Sequence, residues 1–274
     1  MSEPRIVLTA GFDRARNVLA VAELLHRRRV AVEGLLVVSP YSWQRLRRFV
    51  RREGVDALRD AVPRLLGWDE TKEDDEKVDP LTRFYREHEL ERRPLSDWAR
   101  DRQVDYRSVG SINDETAVQF VESVSPDWLV YGGGGILRKG IIEAADGRVL
   151  NAHHGPLPEV RGMNAAEWSL LLGYDPTVTV HLINQGIDTG GIISEHPVPV
   201  YRNDTIEHLR KRCTTVGIEA LCQTVLDPPE RLPEPQEGAA EHRQCFVLAP
   251  ALRELLEKRL EQGVYAQPKT PECE

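Results

Sequence analysis

The chain has few of the features that mark several large protein classes. Its four cysteines are scattered and form no Cys-x-x-Cys pair, which disfavours a metal or disulfide framework and favours a reducing cytoplasm. No run reaches the roughly 18 uninterrupted apolar residues of a membrane span, and the first residues show no signal-peptide pattern. We therefore expect no membrane partner and a cytoplasmic location.

A surplus of positive charge is also missing. The 274 residues carry 36 Lys and Arg against 44 Asp and Glu, a formal net charge of -8. That balance disfavours a nucleic-acid partner held by a broad basic surface. The sequence also contains no GxGxxG loop, no phosphate-binding Walker loop and no internal repeat, so the common nucleotide-binding signatures do not apply.

Alternating strand and helix patterns begin at the start of the chain. An apolar run at 5–10, a helical pattern at 16–28 and a second apolar run at 30–39 predict a βαβ unit and hence a parallel sheet. The predicted fold is α/β, with a three-layer, mainly parallel (Rossmann-like) sheet and a small C-terminal extension. We place a catalytic domain at 1–226 and a Pro-rich linker with a small strand and helix at 227–274.

Further elements follow from periodicity and capping residues. Ser111 or Asn113 is expected to cap a helix that runs to 124, and Asp204 to cap a long helix at 205–224. A basic amphipathic helix is predicted at 41–52, and an acidic loop at 69–79. Other predicted helices lie at 81–92, 95–102, 165–172 and 249–262, and other strands at 127–131, 178–183, 192–194 and 245–248.

Two polar segments carry the candidate chemistry. Asn151 and His153 follow an apolar run, and Asp188 lies in a glycine-bracketed turn, Gly186-Ile-Asp-Thr-Gly190. In an extended strand end, residues 151 and 153 share a face. An amide and an imidazolium can stabilise an oxyanion, while a carboxylate can collect a proton. Taken singly, each residue is more typical of a turn or a satisfied polar side chain.

The combined pattern resembles the 10-formyltetrahydrofolate-dependent formyltransferases. It consists of Asn-x-His-x-x-x-Leu-Pro-x-x-Arg-Gly at 151–162, Thr-Val-Thr-Val-His at 177–181 and the turn at 186–190. The resemblance is strong from about 125 to 217 and weak before 104. Two departures stand out, because the family usually has Pro-Ser at the positions of His154 and Gly155, and Gly at Thr177.

The resemblance implies roles for particular residues. Asn151 would contact the formyl oxygen, His153 would stabilise the oxyanion, and Asp188 would accept or relay the proton of the amine. The co-substrate would be N10-formyltetrahydrofolate. Its predicted contacts are Gly133, Gly134, Gly135, Ile136, Leu137, Gly186 and Ile187, and the predicted substrate contacts are His154, Arg161 and Gly162. No metal is implied, and His181 is equally compatible with a structural role.

The acceptor is a primary amine of a small molecule, which we expect to be a nucleotide-linked amino sugar or a secondary-metabolite amine. Arg14, Arg45, Arg161 and Arg202 are candidates to contact its phosphate or carboxylate. A homodimer is compatible with the resemblance. Two alternatives remain, namely hydrolysis of the same folate by water and a folate-binding protein without catalysis.

Overall fold

The computed structural model describes residues 4–39 and 79–266 of the chain. The strands are β1 Arg5–Ala10, β2 Ala31–Val38, β3 Asp105–Val109, β4 Trp128–Gly132, β5 Val149–His153, β6 Arg161–Gly162, β7 Thr177–Leu182, β8 Ile192–Pro197 and β9 Gln244–Cys245. The α-helices are α1 Arg16–Arg27, α2 Pro80–Glu87, α3 Leu95–Arg102, α4 Glu115–Val124, α5 Lys139–Ala144, α6 Ala165–Leu172, α7 Ile206–Leu226 and α8 Pro250–Glu261.

Seven strands form one mainly parallel sheet in the order β3-β2-β1-β4-β5-β7-β8, with helices on both sides. The α/β, Rossmann-like fold class predicted from the sequence is confirmed. Strand β8 runs antiparallel to β7, so one edge departs from the parallel arrangement. Strands β6 and β9 form a separate two-stranded sheet.

The chain divides into two compact units, one of residues 1–78 and 85–151 and one of residues 79–84 and 152–274. The first contains β1 to β4 and the start of β5. Its central strand β1 is apolar on both faces, and Ile6 to Leu8 are almost fully buried, as expected for a parallel strand covered on both sides. Helix α1 contributes Val18, Leu19 and Leu25 to the same core.

A close contact shows how tightly this first unit packs. A side chain at Gly34 would place its Cβ 2.3 Å from the ring of Phe120, so α4 rests directly on the backbone of β2. Asp13, in the loop after β1, accepts hydrogen bonds from the backbone and hydroxyl of Ser96 and from Tyr106. The carboxylate therefore ties this loop to the start of α3.

The second unit contains the end of β5, β6 to β9 and helices α6 to α8. Its core joins α6, β7 and α7 to α8, where Leu256 and Leu260 are almost fully buried. The segment after the Pro-rich stretch therefore packs in the same core as α7. The domain boundary at 226 and 227 stays a prediction.

Two predicted helix caps were wrong. Helix α4 begins at Glu115 with Asp114 at its N-cap, while the side chain of Asn113 binds the backbone of Ile136 and Arg138 instead. Helix α7 is capped by Thr205, which forms a reciprocal capping box with His208. The two carboxylate oxygens of Asp204 instead accept hydrogen bonds from the guanidinium nitrogens of Arg212, at 2.6 and 2.9 Å. Another partner replaced the local capping bond in both cases, a segment 23 residues away for Asn113 and Arg212 of α7 itself for Asp204.

Candidate active site

Strand β5 positions the predicted amide and imidazole. Val130 of β4 pairs with Leu150 of β5, so Asn151 follows directly on the last paired residue, at the carboxyl end of the sheet. Side chains alternate along a strand, which places Asn151 and His153 on the same face. Ala152 and His154 point the other way, because both lie beside Gly217 of α7. The carboxyl ends of parallel strands are where α/β folds collect their ligands.

Asp188 lies with its carboxylate between two imidazoles. Its Oδ2 atom is 3.5 Å from Nδ1 of His153, and its Oδ1 atom is 3.7 Å from Nε2 of His181. Both rings are buried, with exposed fractions of 7% and 1%. His181 was the functional candidate that the sequence left open, and the structure brings it to the carboxylate together with His153.

The second nitrogen of each ring is held by a backbone carbonyl. His153 Nε2 lies 2.7 Å from the oxygen of Val160, and His181 Nδ1 lies 2.8 Å from the oxygen of Leu182. A carbonyl only accepts, so each of these nitrogens carries a proton. The nitrogens that face Asp188 are thus the ones whose protonation can change. This arrangement can store and pass a proton through the carboxylate.

The backbone of the turn that carries Asp188 packs closely against the end of β7. Asp188 itself has a φ of 53°, in the left-handed region that costs a non-glycine residue on the order of 1 kcal/mol. A Cβ at Gly190 would lie 1.8 Å from the carbonyl oxygen of Leu182, so only glycine fits there. The backbone N–H of Gly162 donates to Asp188 Oδ2 at 2.7 Å. The carboxylate is therefore held by this N–H, with one imidazole beside each of its oxygens.

The glycine loop after β4 is ordered by side chains of its own unit. Gly133, Gly134 and Gly135 have φ values of 126°, 124° and 109°, which only glycine adopts readily. Thr9 donates to the oxygen of Gly133 and Tyr131 donates to that of Gly135, at 3.0 and 2.9 Å.

The same loop presents an open apolar surface. A Cβ at Gly135 would meet no atom within 4 Å, and the side chain of Ile136 is 72% exposed, whereas Leu137 is buried. Asn113 fixes the end of the loop by donating to Ile136 and accepting from Arg138. Sequence reasoning missed this role of Asn113, because a bond across 23 residues leaves no periodic signal.

The predicted substrate contacts have internal partners in the structure. Arg161 is buried and donates to the carbonyl oxygens of Ile187 and His242, and Gly162 donates to Asp188. His154 lies against α7. Substrate contact by these three residues stays a prediction, as does folate contact by Gly133 to Leu137, Gly186 and Ile187.

Some predicted features fall elsewhere. The basic helix at 41–52, with Arg45, and the acidic stretch up to 78 lie outside the described residues. Arg14 and Arg202 are exposed. Within residues 4–39 and 79–266, no group of three or more His, Cys, Asp and Glu side chains is arranged to hold a metal ion. The same ranges contain no helix that is both long and apolar enough to cross a membrane.

Comparison with known proteins places this geometry in context. A family model described as "Formyl transferase" matches residues 74–225. Methionyl-tRNA formyltransferase from Anaeromyxobacter dehalogenans is 31% identical over 146 residues, covering 52% of this chain and 47% of that protein. The enzyme of the same name from Thermodesulfovibrio yellowstonii is 30% identical over 131 residues, covering 46% and 42%. The chain thus spans about half the length of these curated relatives.

Solved structures share the fold over more of the chain. Phosphoribosylglycinamide formyltransferase from Bacillus halodurans has a TM-score of 0.53 at 17% identity, covering 81% of this chain and 93% of that one. A sugar N-formyltransferase from Shewanella has a TM-score of 0.52 at 11% identity, covering 94% and 87%. At these identities the likeness concerns the fold alone.

We predict a pH-dependent loss of stability from two histidines. Burial is the main reason that the pKa values of His154 and His181 fall to about 4 from the usual 6.5, and the charge of His153 lowers both further. For His181, Asp188 acts in the opposite direction. These histidines then bind protons at a higher pH in the unfolded chain than in the folded chain. The free energy of unfolding therefore decreases as the pH falls from about 6.5 to about 4.

For His154 the loss between pH 7 and pH 5 should be at most about 2 kcal/mol, because part of its side chain is exposed. Urea denaturation of His154→Gln at both pH values should show a shallower loss than wild type. His242→Gln, which replaces an exposed imidazole, is the matched control. Equal losses in wild type and His154→Gln would contradict the prediction.

Proposed function

Because the chain belongs to the formyl transferase family, we propose that it transfers a formyl group from N10-formyltetrahydrofolate to a primary amine. The family model covers more than half of the chain and includes Asn151, His153 and Asp188. The family uses N10-formyltetrahydrofolate as its formyl donor. Since the curated relatives are matched over about half their length, the activity is a proposal for this chain.

The observation that carries the proposal is the Asp188 carboxylate beside two buried imidazoles, His153 and His181. Formyl transfer to an amine creates an oxyanion on the formyl group and releases a proton from the attacking nitrogen. A partly buried carboxylate with two buried imidazole neighbours can meet the second need, and the amide and imidazole on β5 can meet the first.

The proposed reaction has two steps. The lone pair of the amine attacks the formyl carbon, and the C=O bond pair moves to oxygen, where Asn151 and His153 donate hydrogen bonds. Because Nε2–H of His153 donates to Val160, Nδ1 is the atom that would serve the oxyanion, and it can donate only when the ring carries a second proton there. The amine nitrogen loses one proton to Asp188, directly or through water. The bond between the formyl carbon and N10 then breaks, N10 takes up the proton held by Asp188, directly or through water, and tetrahydrofolate leaves with the carboxylate restored.

His181 extends this scheme. Its pKa, lowered to about 4 mainly by burial, keeps the ring neutral near pH 7. With Nδ1–H bound to Leu182, its Nε2 atom faces Asp188 with a lone pair. Once Asp188 holds the proton of the amine, its O–H can therefore donate to that lone pair, which would keep the proton in place until N10 takes it up.

For the donor, we propose the glycine loop after β4. Flat rings need close backbone approach, and Gly133 to Gly135 present main chain without side chains. The exposed side chain of Ile136 adds an apolar surface. Since Thr9, Tyr131 and Asn113 hold the loop, its groups are in place before the folate arrives.

For the acceptor, we propose an amino sugar, nucleotide-linked, or a secondary-metabolite amine, in a cytoplasmic enzyme that acts without nucleic acid. The formal net charge of -8 supports a small acceptor, because tRNA binding relies on neutralising many phosphates. The fold shared with a sugar N-formyltransferase is compatible with that acceptor class. The competing acceptor is methionyl-tRNA, on which the curated relatives act by name.

We predict that Asp188→Asn lowers kcat for formyl transfer about a hundredfold or more, because the amide cannot accept the amine proton. Asn151→Ala and His153→Ala should lower kcat by a similar factor. Formation of tetrahydrofolate, followed spectrophotometrically with a saturating amine, is the measurement. Asp175→Asn, an exposed Asp in the same unit, is the matched control. Folded variants with near-wild-type turnover would refute the assignment.

We predict that the acceptor preference favours a nucleotide-linked amino sugar over methionyl-tRNA by about a hundredfold in kcat/KM. Both substrates compete for one limiting supply of N10-formyltetrahydrofolate, and mass spectrometry counts the two formylated products. Predominant formylation of methionyl-tRNA, weakening steeply with added salt, would overturn the small-molecule acceptor while leaving the reaction class intact.

A further inference from the structure

The turn that carries Asp188 is held by a residue far away in the sequence. Gln236 lies in the segment between α7 and β9, 48 residues from Asp188. Its side-chain nitrogen donates to the carbonyl oxygens of Asp188 and Gly190, at 3.3 and 2.6 Å. Its backbone N–H donates to the oxygen of Thr189 at 3.1 Å. One residue thus holds three successive carbonyls of the turn.

The remaining carbonyl of this stretch is held as well. Arg161 donates to the oxygen of Ile187 at 3.1 Å and also to that of His242, which lies a few residues beyond Gln236. Every backbone carbonyl from 187 to 190 therefore accepts a hydrogen bond. The donors are Gln236 itself and Arg161, and Arg161 is in turn bonded to the segment that contains Gln236. The backbones are also in close contact, because a Cβ at Gly191 would lie 2.3 Å from the oxygen of Pro233.

The orientation of the Gln236 amide follows from its partners. Both atoms that its Nε2 faces are carbonyl oxygens, so a rotated amide would set oxygen against oxygen. The Oε1 atom is buried and has no hydrogen-bond partner in the described part of the chain. Leaving a buried oxygen unpaired costs free energy. The two hydrogen bonds that Gln236 donates can offset this cost, because they hold a turn in which Asp188 has a φ of 53°.

From these contacts we propose that Gln236 is a positioning residue for Asp188. Its three hydrogen bonds hold the backbone of residue 188 in the left-handed conformation, which directs the carboxylate to His153 and His181. The role rests on the proposed function, since it presumes that Asp188 takes the amine proton. A displacement of about 1 Å at a reacting group can cost on the order of a hundredfold in rate, so a residue without substrate contact can control turnover.

The first test is Gln236→Met, which keeps the side-chain length and removes both donated bonds. We expect kcat to fall about tenfold to a hundredfold, with KM for the folate and for the amine within about twofold of wild type. Gln244→Met, an exposed Gln in β9, is the matched control and should behave as wild type. An unchanged kcat, or a loss confined to KM, would overturn the positioning role.

A double-mutant cycle separates positioning from general destabilisation. In the Asp188→Asn background, Gln236→Met should lower the residual rate by less than about twofold, because the group that it positions is already disabled. An equal loss in both backgrounds would mean that Gln236 acts elsewhere, and would overturn the proposal.

A second variant, Gln236→Glu, adds a pH readout. Its carboxylate faces two carbonyl oxygens and repels them, but the protonated acid can donate to one of them. Burial and these oxygens favour the protonated form. The ratio of its kcat to that of wild type should therefore rise as the pH falls from about 8 to about 6. A ratio independent of pH would contradict the role of a donor at this position.

Failure of the positioning role is distinct from failure of the proposed function. A wild-type chain that transfers no formyl group to any amine contradicts the proposed function. A wild-type chain whose activity is abolished by Asp188→Asn but unaffected by Gln236→Met contradicts the positioning role alone.

Discussion

The candidate chemistry of this protein depends on one strained turn. Asp188 adopts a left-handed backbone conformation that a non-glycine residue avoids unless its surroundings impose it. The turn persists because its carbonyls accept bonds from Arg161 and Gln236 and its carboxylate accepts one from Gly162. On the proposal that Gln236 positions Asp188, loss of these donors would let the turn relax and move the carboxylate away from the two imidazoles. The position of the Asp188 carboxylate is thus tied to hydrogen bonds from residues distant in the sequence, Gln236 among them.

Burial of the two histidines strengthens their electrostatic interaction with Asp188. Water would screen the interaction between a carboxylate and two exposed histidines. Here His153 and His181 are almost fully buried, so their interaction with Asp188 is screened less. Each ring commits one nitrogen to a backbone carbonyl, which leaves the other toward Asp188. The polar cluster therefore has defined proton positions, and a proton from the acceptor can enter it without a wide rearrangement of the side chains.

Much of the local structure could be predicted from the sequence. Apolar periodicity located β1, α1, α3 and α6 almost to the residue, because each is set by neighbours within a few positions. The Asn151, His153 and Asp188 constellation was also visible, since its residue types and spacing carry chemistry. The parallel pairing of the first two strands also follows from the predicted βαβ pattern, whereas the order of the seven strands does not.

What escaped prediction depends on contacts between distant residues. Asn113 looked like a helix cap but bonds to the segment at Ile136 and Arg138, and Asp204 pairs with Arg212 inside the helix that it was expected to cap. Gln236 stands in a Pro-rich stretch that reads as a linker, and nothing local shows that its amide meets the Asp188 turn. His181 ends an ordinary apolar strand, so its proximity to the carboxylate appears only once β7 is folded beside the turn. Bonds from side chain to backbone have no period, and a single sequence does not reveal them.

The central claim is that the formyl group passes from the folate to an amine. It is tested most directly by following the carbon of N10-formyltetrahydrofolate labelled with ¹³C in the formyl group, in a single turnover with enzyme in excess and an amino-sugar nucleotide present. The account predicts that the ¹³C NMR signal moves to a formamide carbon bonded to the sugar nitrogen. Label recovered as formate, at the same rate with or without the amine, would contradict it and identify a hydrolase.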